Sequence, residues 1–380
     1  MERSGKRKKA LTVKGGSKMK TWSTTGTICF LILSYTGIVT AWSHSSVQVH
    51  RDIDRIQLKY GLSGTPRAAV SQSPLFQQRR RVSGVIRAAG ATSSTSTGEP
   101  SSDKKANRLA QIKSEGGKLA FSTKYGALNP YAVFYGLTSI FLGIAWYMEM
   151  MACKVMYFLT RNKFDPKRRL PIFFSQVWGE TLMFLTRAYP KVENRHILKE
   201  FYKTGKAAMF VANHNSWQDI PYLGYTIGWR NYKIIAKKEL EKVPILSSAI
   251  IQGGHVIVDR TNRRSQLMTL KNGMKWLQEG VHLCTFPEGT RSRSGRLQPF
   301  KNGAFKMAYK VGAPVIPLSI VGAGDVMPST WMFPKSASKN IAKVVVHEPI
   351  YPEGKTEEEM ANEVRQAVIS GLPENQRPLD

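Results

Sequence analysis

The chain has 380 residues, which suits one or two domains, and 42% of them are hydrophobic, so a sizeable core can form. Its formal net charge of +30 points to anionic partners: nucleic acid, anionic lipid or phosphorylated substrates. Cys29, Cys153 and Cys284 are too scattered for a disulfide framework, and the seven histidines and the acids show no metal-ligand spacing, so no metal is expected.

The first 118 residues read as a targeting leader. Eight Lys/Arg precede an uncharged apolar run, residues 26–41, which ends in the small-residue pattern Val39-Thr40-Ala41. That is a signal of residues 1–41, cleaved or kept as an anchor. Residues 43–98 then carry eight basic and two acidic residues and are rich in Ser and Thr, the composition of a transit peptide or of a plain linker. The order signal, then aromatic Trp42, then a transit-like stretch 42–118, resembles the bipartite leader of proteins sent to plastids acquired by secondary endosymbiosis. Residence in the endoplasmic reticulum membrane is the alternative.

Residues 119–189 read as a membrane-associated helical segment. Tyr131 to Tyr147 holds no charge, and apolar character continues to Leu159. After the basic run Lys167-Arg168-Arg169 comes a second apolar stretch, residues 170–186. Each suits a spanning helix, a helix lying in one leaflet, or a buried core helix. The flanking cations suit anionic headgroups.

From residue 190 to 380 the pattern alternates. Strands are expected at Ala207–Val211, Tyr232–Ala236, His255–Val258, residues 281–286, 314–322 and 342–350. Between them, Leu267, Leu270, Met274 and Leu277 recur at helical spacing, a helix is expected near Ala304–Lys310, and Thr356 with Glu359 forms a capping-box signature. The expected fold class is α/β: a sheet covered by helices, preceded by the membrane-embedded helical segment.

In such sheets, sites gather where strands end. Four strand ends carry chemistry. The first is "NHNSWQD": five residues from His214 to Asp219 turn about 500° at helical pitch, so the two cannot stack on one helix face. They can meet if the His precedes a helix and the Asp lies in its first turn. Asp219 then orients His214, whose other nitrogen is free to take a proton from a substrate hydroxyl. Capping residues around a surface His are the plainer alternative. The second end carries Asp259-Arg260, and the third "FPEGTRSRSGRL". Here arginines suit bidentate phosphate binding, a Gly turn offers backbone N–H groups, and Glu288 could bind a substrate hydroxyl or anchor an Arg. Each is also compatible with a solvated turn. The fourth is Val315-Ile316-Pro317, where a strand proline suggests an edge or an irregular backbone.

In this order the four blocks resemble those of the glycerolipid acyltransferase family that includes the 1-acyl-sn-glycerol-3-phosphate acyltransferases. Asn213, His214 and Asp219 match the first block. Gly254 to Val258 with Asp259 and Arg260 match the second, where Ile257 replaces the usual Phe. Phe286 to Ser292 match the third without departure, and Val315-Ile316-Pro317 match the fourth. The resemblance covers residues 210–322. It implies acyl transfer from acyl-CoA or acyl-acyl-carrier protein to the sn-2 hydroxyl of lysophosphatidic acid. His214 would be the base and Asp219 its orienter. Arg260, Gly289 and Arg291 would hold the phosphate, Glu288 would contact the glycerol, and Pro317 would lie nearer the acyl groups. No cofactor is implied, and the partners are membrane lipid and the two substrates. Same-family acylation of glycerol-3-phosphate or another lysophospholipid stays open. From other classes, a nucleic-acid-binding protein lacks any RNA or DNA signature here, and a catalytically dead scaffold is disfavoured by the presence of His214 and Asp219.

Overall fold

The structure, a computed structural model, describes residues 102–242 and 246–379. The signal read at 1–41 and most of the transit-like stretch lie outside the described residues. The end of that stretch lies inside them and is helical: α1, Ser102–Gly116, packs through Ile112 against Trp331. A boundary at 118 therefore falls after an element that belongs to the folded body. Charged, Ala-containing sequence around one buried Ile gave little periodicity from which to read it.

A small β1–β2 ribbon, Phe121–Thr123 and Gly126–Leu128, leads into two long helices, α2 at Pro130–Leu159 and α3 at Arg169–Thr186. Helix α2 starts where Asn129 accepts the Ala132 N–H and Pro130 takes the first turn, whose amide needs no partner. Of the two, only α2 is long and apolar enough to cross a membrane by length and composition, and just 22% of its apolar window is buried. The pair packs as an antiparallel hairpin, with Trp146 stacked on Trp178 at 5.2 Å. Its outer side exposes Phe134, Leu137, Phe141, Phe158 and Phe184.

The remainder is a seven-stranded sheet flanked by helices. Its strands are β3 Lys191–Glu193, β4 Met209–Ala212, β5 Tyr232–Lys237, β6 Val256–Val258, β7 His282–Thr285, β8 Val315–Val321 and β9 Lys343–Val346. They lie in the order β3-β9-β8-β4-β7-β5-β6, with every neighbouring pair parallel except β8 and β9. Its helices are α4 Arg195–Lys203, α5 Asp219–Ile227, α6 Leu246–Gln252, α7 Arg263–Gln278, α8 Gly303–Lys310, α9 Ala323–Val326 and α10 Glu357–Ser370. Alternation along β4 shows how the layers divide. Phe210 and Ala212 join the core under the hairpin, α4 and α5, while Met209 and Val211 join the core under α7, α8 and α10. The Thr356–Glu359 capping box opens α10 as its sequence signature suggests.

Pro317 is not on an edge. It sits in β8, between β9 and β4, and pairs with Val211. The irregularity lies on the neighbour: the ladder passes from Leu318↔Val346 to Val315↔Ile350, so β9 carries one extra residue there. This bulge spares β9 the donor that a proline lacks, while the Pro317 carbonyl still accepts from His347.

The hairpin is clasped to the sheet by Lys233, fully buried on β5. Its ammonium donates to the Arg168 carbonyl and to Asn231, both at 3.0 Å. Burial lowers its pKa to about 7; Asp165 opposes that shift, and Arg168 and Arg169 add to it. The unfolded chain thus binds one proton more than the folded one between about pH 7 and the ordinary lysine pKa of about 10.4, so this contribution to stability rises with pH across that window. Thermal unfolding should show the parent gaining on Lys233→Met as pH is raised through it. A pH-independent difference between the two would contradict the clasp's protonation.

Candidate active site

The chain leaves β4 at Ala212 and enters α5 at Asp219, so the intervening loop carries His214 to the carboxyl end of the parallel strands. Two bonds fix this loop to β8: Asn213 donates to the Ile320 carbonyl at 2.8 Å and accepts the Ile320 N–H at 2.7 Å. Asp219 is completely buried in the first turn of α5. Its Oδ2 accepts from His214 Nδ1 at 2.8 Å, Asn215 N at 2.7 Å and Ser216 N at 2.8 Å. Because a carboxylate only accepts, Nδ1 carries the proton and Nε2 is left as a base. The ring lies over Phe286, with centroids 4.2 Å apart and planes 18° from parallel, which restricts its rotation.

The loop after β7 supplies the rest. His214 N donates to Glu288 Oε1 at 2.6 Å, and Gln298 N donates to Oε2 at 3.0 Å. Glu288 is buried, does not line the cavity, and has both oxygens occupied by backbone donors. It therefore holds the His214 loop rather than presenting itself to a glycerol hydroxyl, correcting the expectation from the motif. Burial, opposed by those two N–H groups and reinforced by Asp219, raises its pKa to about 7. Gly289 turns with φ +77°, and a Cβ there would meet the Arg260 guanidinium at 2.6 Å. Glycine is thus favoured by the left-handed turn, and its lack of a side chain leaves room for the Arg260 guanidinium.

A cavity of about 1110 Å³ opens above His214. Arg260, Gly289 and Arg291 line the same end of it. The Arg291 guanidinium lies 4.8 Å over the Trp217 ring. Lys237, at the end of β5, lines the cavity too, and its pKa is lowered by burial and by Arg260, Lys301 and Arg291. Three cations, Arg260, Arg291 and Lys237, therefore line the cavity, and Lys301 lies near enough to act on Lys237. Lys237 was not singled out from the sequence, since it reads as one more lysine in a basic chain. The other walls are mostly apolar and come from the hairpin, α5, α6 and the segment Met327–Pro334. Pro317 does not line the cavity; it is buried in the sheet, where its strand helps to hold the His214 loop.

The arrangement offers a base at the junction of a cationic pocket and an apolar one. Comparison with known proteins agrees with this plan. Residues 190–321 match the family model described as Acyltransferase. A chloroplastic 1-acyl-sn-glycerol-3-phosphate acyltransferase of Arabidopsis thaliana is 32% identical over 215 residues, 55% of this chain and 56% of the relative. A 1-acyl-sn-glycerol-3-phosphate acyltransferase of Chlamydomonas reinhardtii is 38% identical over 170 residues, 44% of this chain and 49% of the relative. The chain spans about half the length of these curated relatives. The crystal structure of the 1-acyl-sn-glycerophosphate acyltransferase PlsC from Thermotoga maritima is similar with a TM-score of 0.50 and 26% identity, over 63% of this chain and 94% of that one. The part of the chain that matches the acyltransferase family model, residues 190–321, is thus the part that carries the motif-bearing loops at the strand ends.

Proposed function

We propose that the protein transfers a fatty acyl group from a thioester, acyl-CoA or acyl-acyl-carrier protein, to the sn-2 hydroxyl of lysophosphatidic acid, giving phosphatidic acid. The observation that carries this reading is the position of the His214–Asp219 pair beside a cavity lined by three cations, Arg260, Arg291 and Lys237, and by apolar walls. A lipid with one phosphate monoester and one acyl chain has those two ends. His214 Nε2 takes the hydroxyl proton as the oxygen attacks the thioester carbonyl. The tetrahedral intermediate then collapses, the C–S bond breaks, and the imidazolium returns the proton to the departing thiolate. Buried Asp219 supports the positive charge that His214 carries between those steps.

The exposed apolar side of the hairpin would seat the protein at a bilayer, where a single-chain lipid is concentrated. Plastid residence is our reading of the leader composition, supported by relatives from Arabidopsis thaliana and Brassica napus whose names place them in the chloroplast. Under this reading the basic charge serves anionic lipid and acidic donors, and no nucleic acid is involved.

Purified protein assayed against lysophosphatidic acid, glycerol-3-phosphate and neutral-headgroup lysophospholipids tests the acceptor. Lysophosphatidic acid should be preferred, and a preference for any of the others would replace this assignment. In Arg260→Ala and Arg291→Ala, loss of a charged hydrogen bond, worth about 1.5–3 kcal/mol, should lower kcat/KM for the acceptor about 10–150-fold. Donor KM should change much less. A loss confined to donor KM would mean that the cationic end binds the donor instead.

A further inference from the structure

The segment before the hairpin is tied to one wall of the cavity at several points. Trp331 Nε1 donates to Glu115 at 3.0 Å, and the ring fills the space over Gly116, where a Cβ would stand 2.1 Å from it. Ala127 forms a bridge across residues 330–332: its N–H donates to the Thr330 carbonyl at 2.9 Å, and its carbonyl accepts from Met332 at 3.2 Å. Buried Asn129 donates to the carbonyls of Gly116 and Lys335 while capping α2. These bonds join α1, the β1–β2 ribbon, the start of the hairpin and residues 330–335 into one unit around the small core of Ile112, Ala120, Ala127, Ala132 and Trp331.

The far side of residues 327–335 faces the cavity. Met327, Met332, Phe333 and Pro334 line it. Phe333 packs over Gly136 of α2, where a Cβ would stand 2.7 Å from the ring. The Met327 carbonyl accepts from Ser216 at 2.9 Å, inside the loop between His214 and Asp219. The segment Met327–Lys335 is thus held from outside by residues 112–129 and from inside by the catalytic loop. It has no strand or helix of its own to fix it beyond the Trp331 bridge.

We propose that residues 106–129 are a strap that sets the position of this wall and so selects which acyl chains the cavity accepts, with Trp331 as its positioning residue. This rests on the acyl-transfer reading above. Trp331 does not line the cavity and acts through Met332 and Phe333, the two residues that follow it. A strap that slackens lets two adjacent side chains retreat, enlarging the apolar pocket without moving His214 or the cations.

The test uses the full chain, lysophosphatidic acid in detergent micelles and saturated acyl-CoA donors of increasing length. Gly116→Leu displaces the Trp331 ring from outside the cavity. Trp331→Phe keeps an aromatic ring but removes the bond to Glu115 and withdraws the indole atoms that fill the space over Gly116, loosening the strap without adding bulk, so it guards against failure of the first variant to fold. Expected is a shift of the kcat/KM profile toward longer or bulkier chains, by about tenfold in the ratio of the two ends for a change of one methylene in fit. Thermal unfolding checks that both variants remain folded. Profiles that overlay on the parent after scaling by one factor show a merely structural strap and overturn the proposal. Absence of transfer by the parent itself would sink the acyl-transfer reading and the strap with it, whereas parental transfer with an unchanged profile sinks the strap alone.

Discussion

Acyl transfer by His214→Ala should fall about 10²–10⁴-fold, the usual contribution of a general base, while the protein unfolds near the parental temperature. The substitution removes one of the three donors on Asp219 Oδ2; the Asn215 and Ser216 amides remain to hold the carboxylate. Folding should therefore survive. Asp219→Asn is a different lesion. An amide oxygen can still accept those N–H groups, but His214 loses its counter-charge and with it the support for the imidazolium. Its rate should fall severely as well, with some loss of stability because the site is fully buried. Thiol release followed in parallel with thermal unfolding separates the two effects. Near-normal turnover by a folded His214→Ala protein would falsify the assignment of the base.

Glu288→Ala should damage the fold more than any of the arginine substitutions. Two backbone donors, at His214 and Gln298, would lose their acceptor in a buried site. At about 1–3 kcal/mol for each unsatisfied donor, that is about 2–6 kcal/mol, comparable at its upper end with the whole stability of a marginal domain. Glu288→Gln keeps one acceptor and turns an NH₂ toward the other donor, so its cost should be intermediate. The pH dependence carries a definite sign. With a folded pKa raised to about 7 above the ordinary glutamate value of about 4.3, the folded state binds more protons across that interval. This group's contribution is therefore present at low pH and declines as pH rises toward 7. Thermal unfolding of the parent and Glu288→Gln between those limits should show that decline only in the parent. A Glu288→Ala protein that keeps parental stability but loses kcat/KM selectively for the acceptor would return Glu288 to the role of a substrate ligand.

The α/β alternation was legible because buried parallel strands and amphipathic helices leave periods in the sequence, and the expected elements from β4 to α10 lie close to where they occur. The His–x4–Asp geometry was legible too, since helical pitch alone requires a loop followed by a helix start. Residues acting through contacts left no such trace. Lys237 beside the arginines and Trp331 behind the wall are ordinary members of their local sequence, and only the folded chain brings them to the site; Phe286 opens the third block, but its place beneath the imidazole is visible only in the fold. Glu288 shows the converse: a motif identifies it readily, but its chemistry depends on which backbone amides it meets. Pro317 was informative about irregularity and misleading about edges, because the bulge that accommodates it lies on another strand.

The edge strand β3 has a consequence for how the chain is built. Its neighbour in the sheet is β9, and Glu193 forms an ion pair with Lys343 across 150 residues of sequence. The His214 loop likewise waits for partners made later, Glu288 at 74 residues and Ile320 at 107. During synthesis, by contrast, the two helices of the hairpin are adjacent in sequence and can pair as soon as both have emerged. Ordering so distant a set of contacts makes sheet closure slow relative to helix pairing. The apolar hairpin is thus available to lipid while the sheet is still incomplete, and catalytic competence arrives only when the last third of the chain has been made.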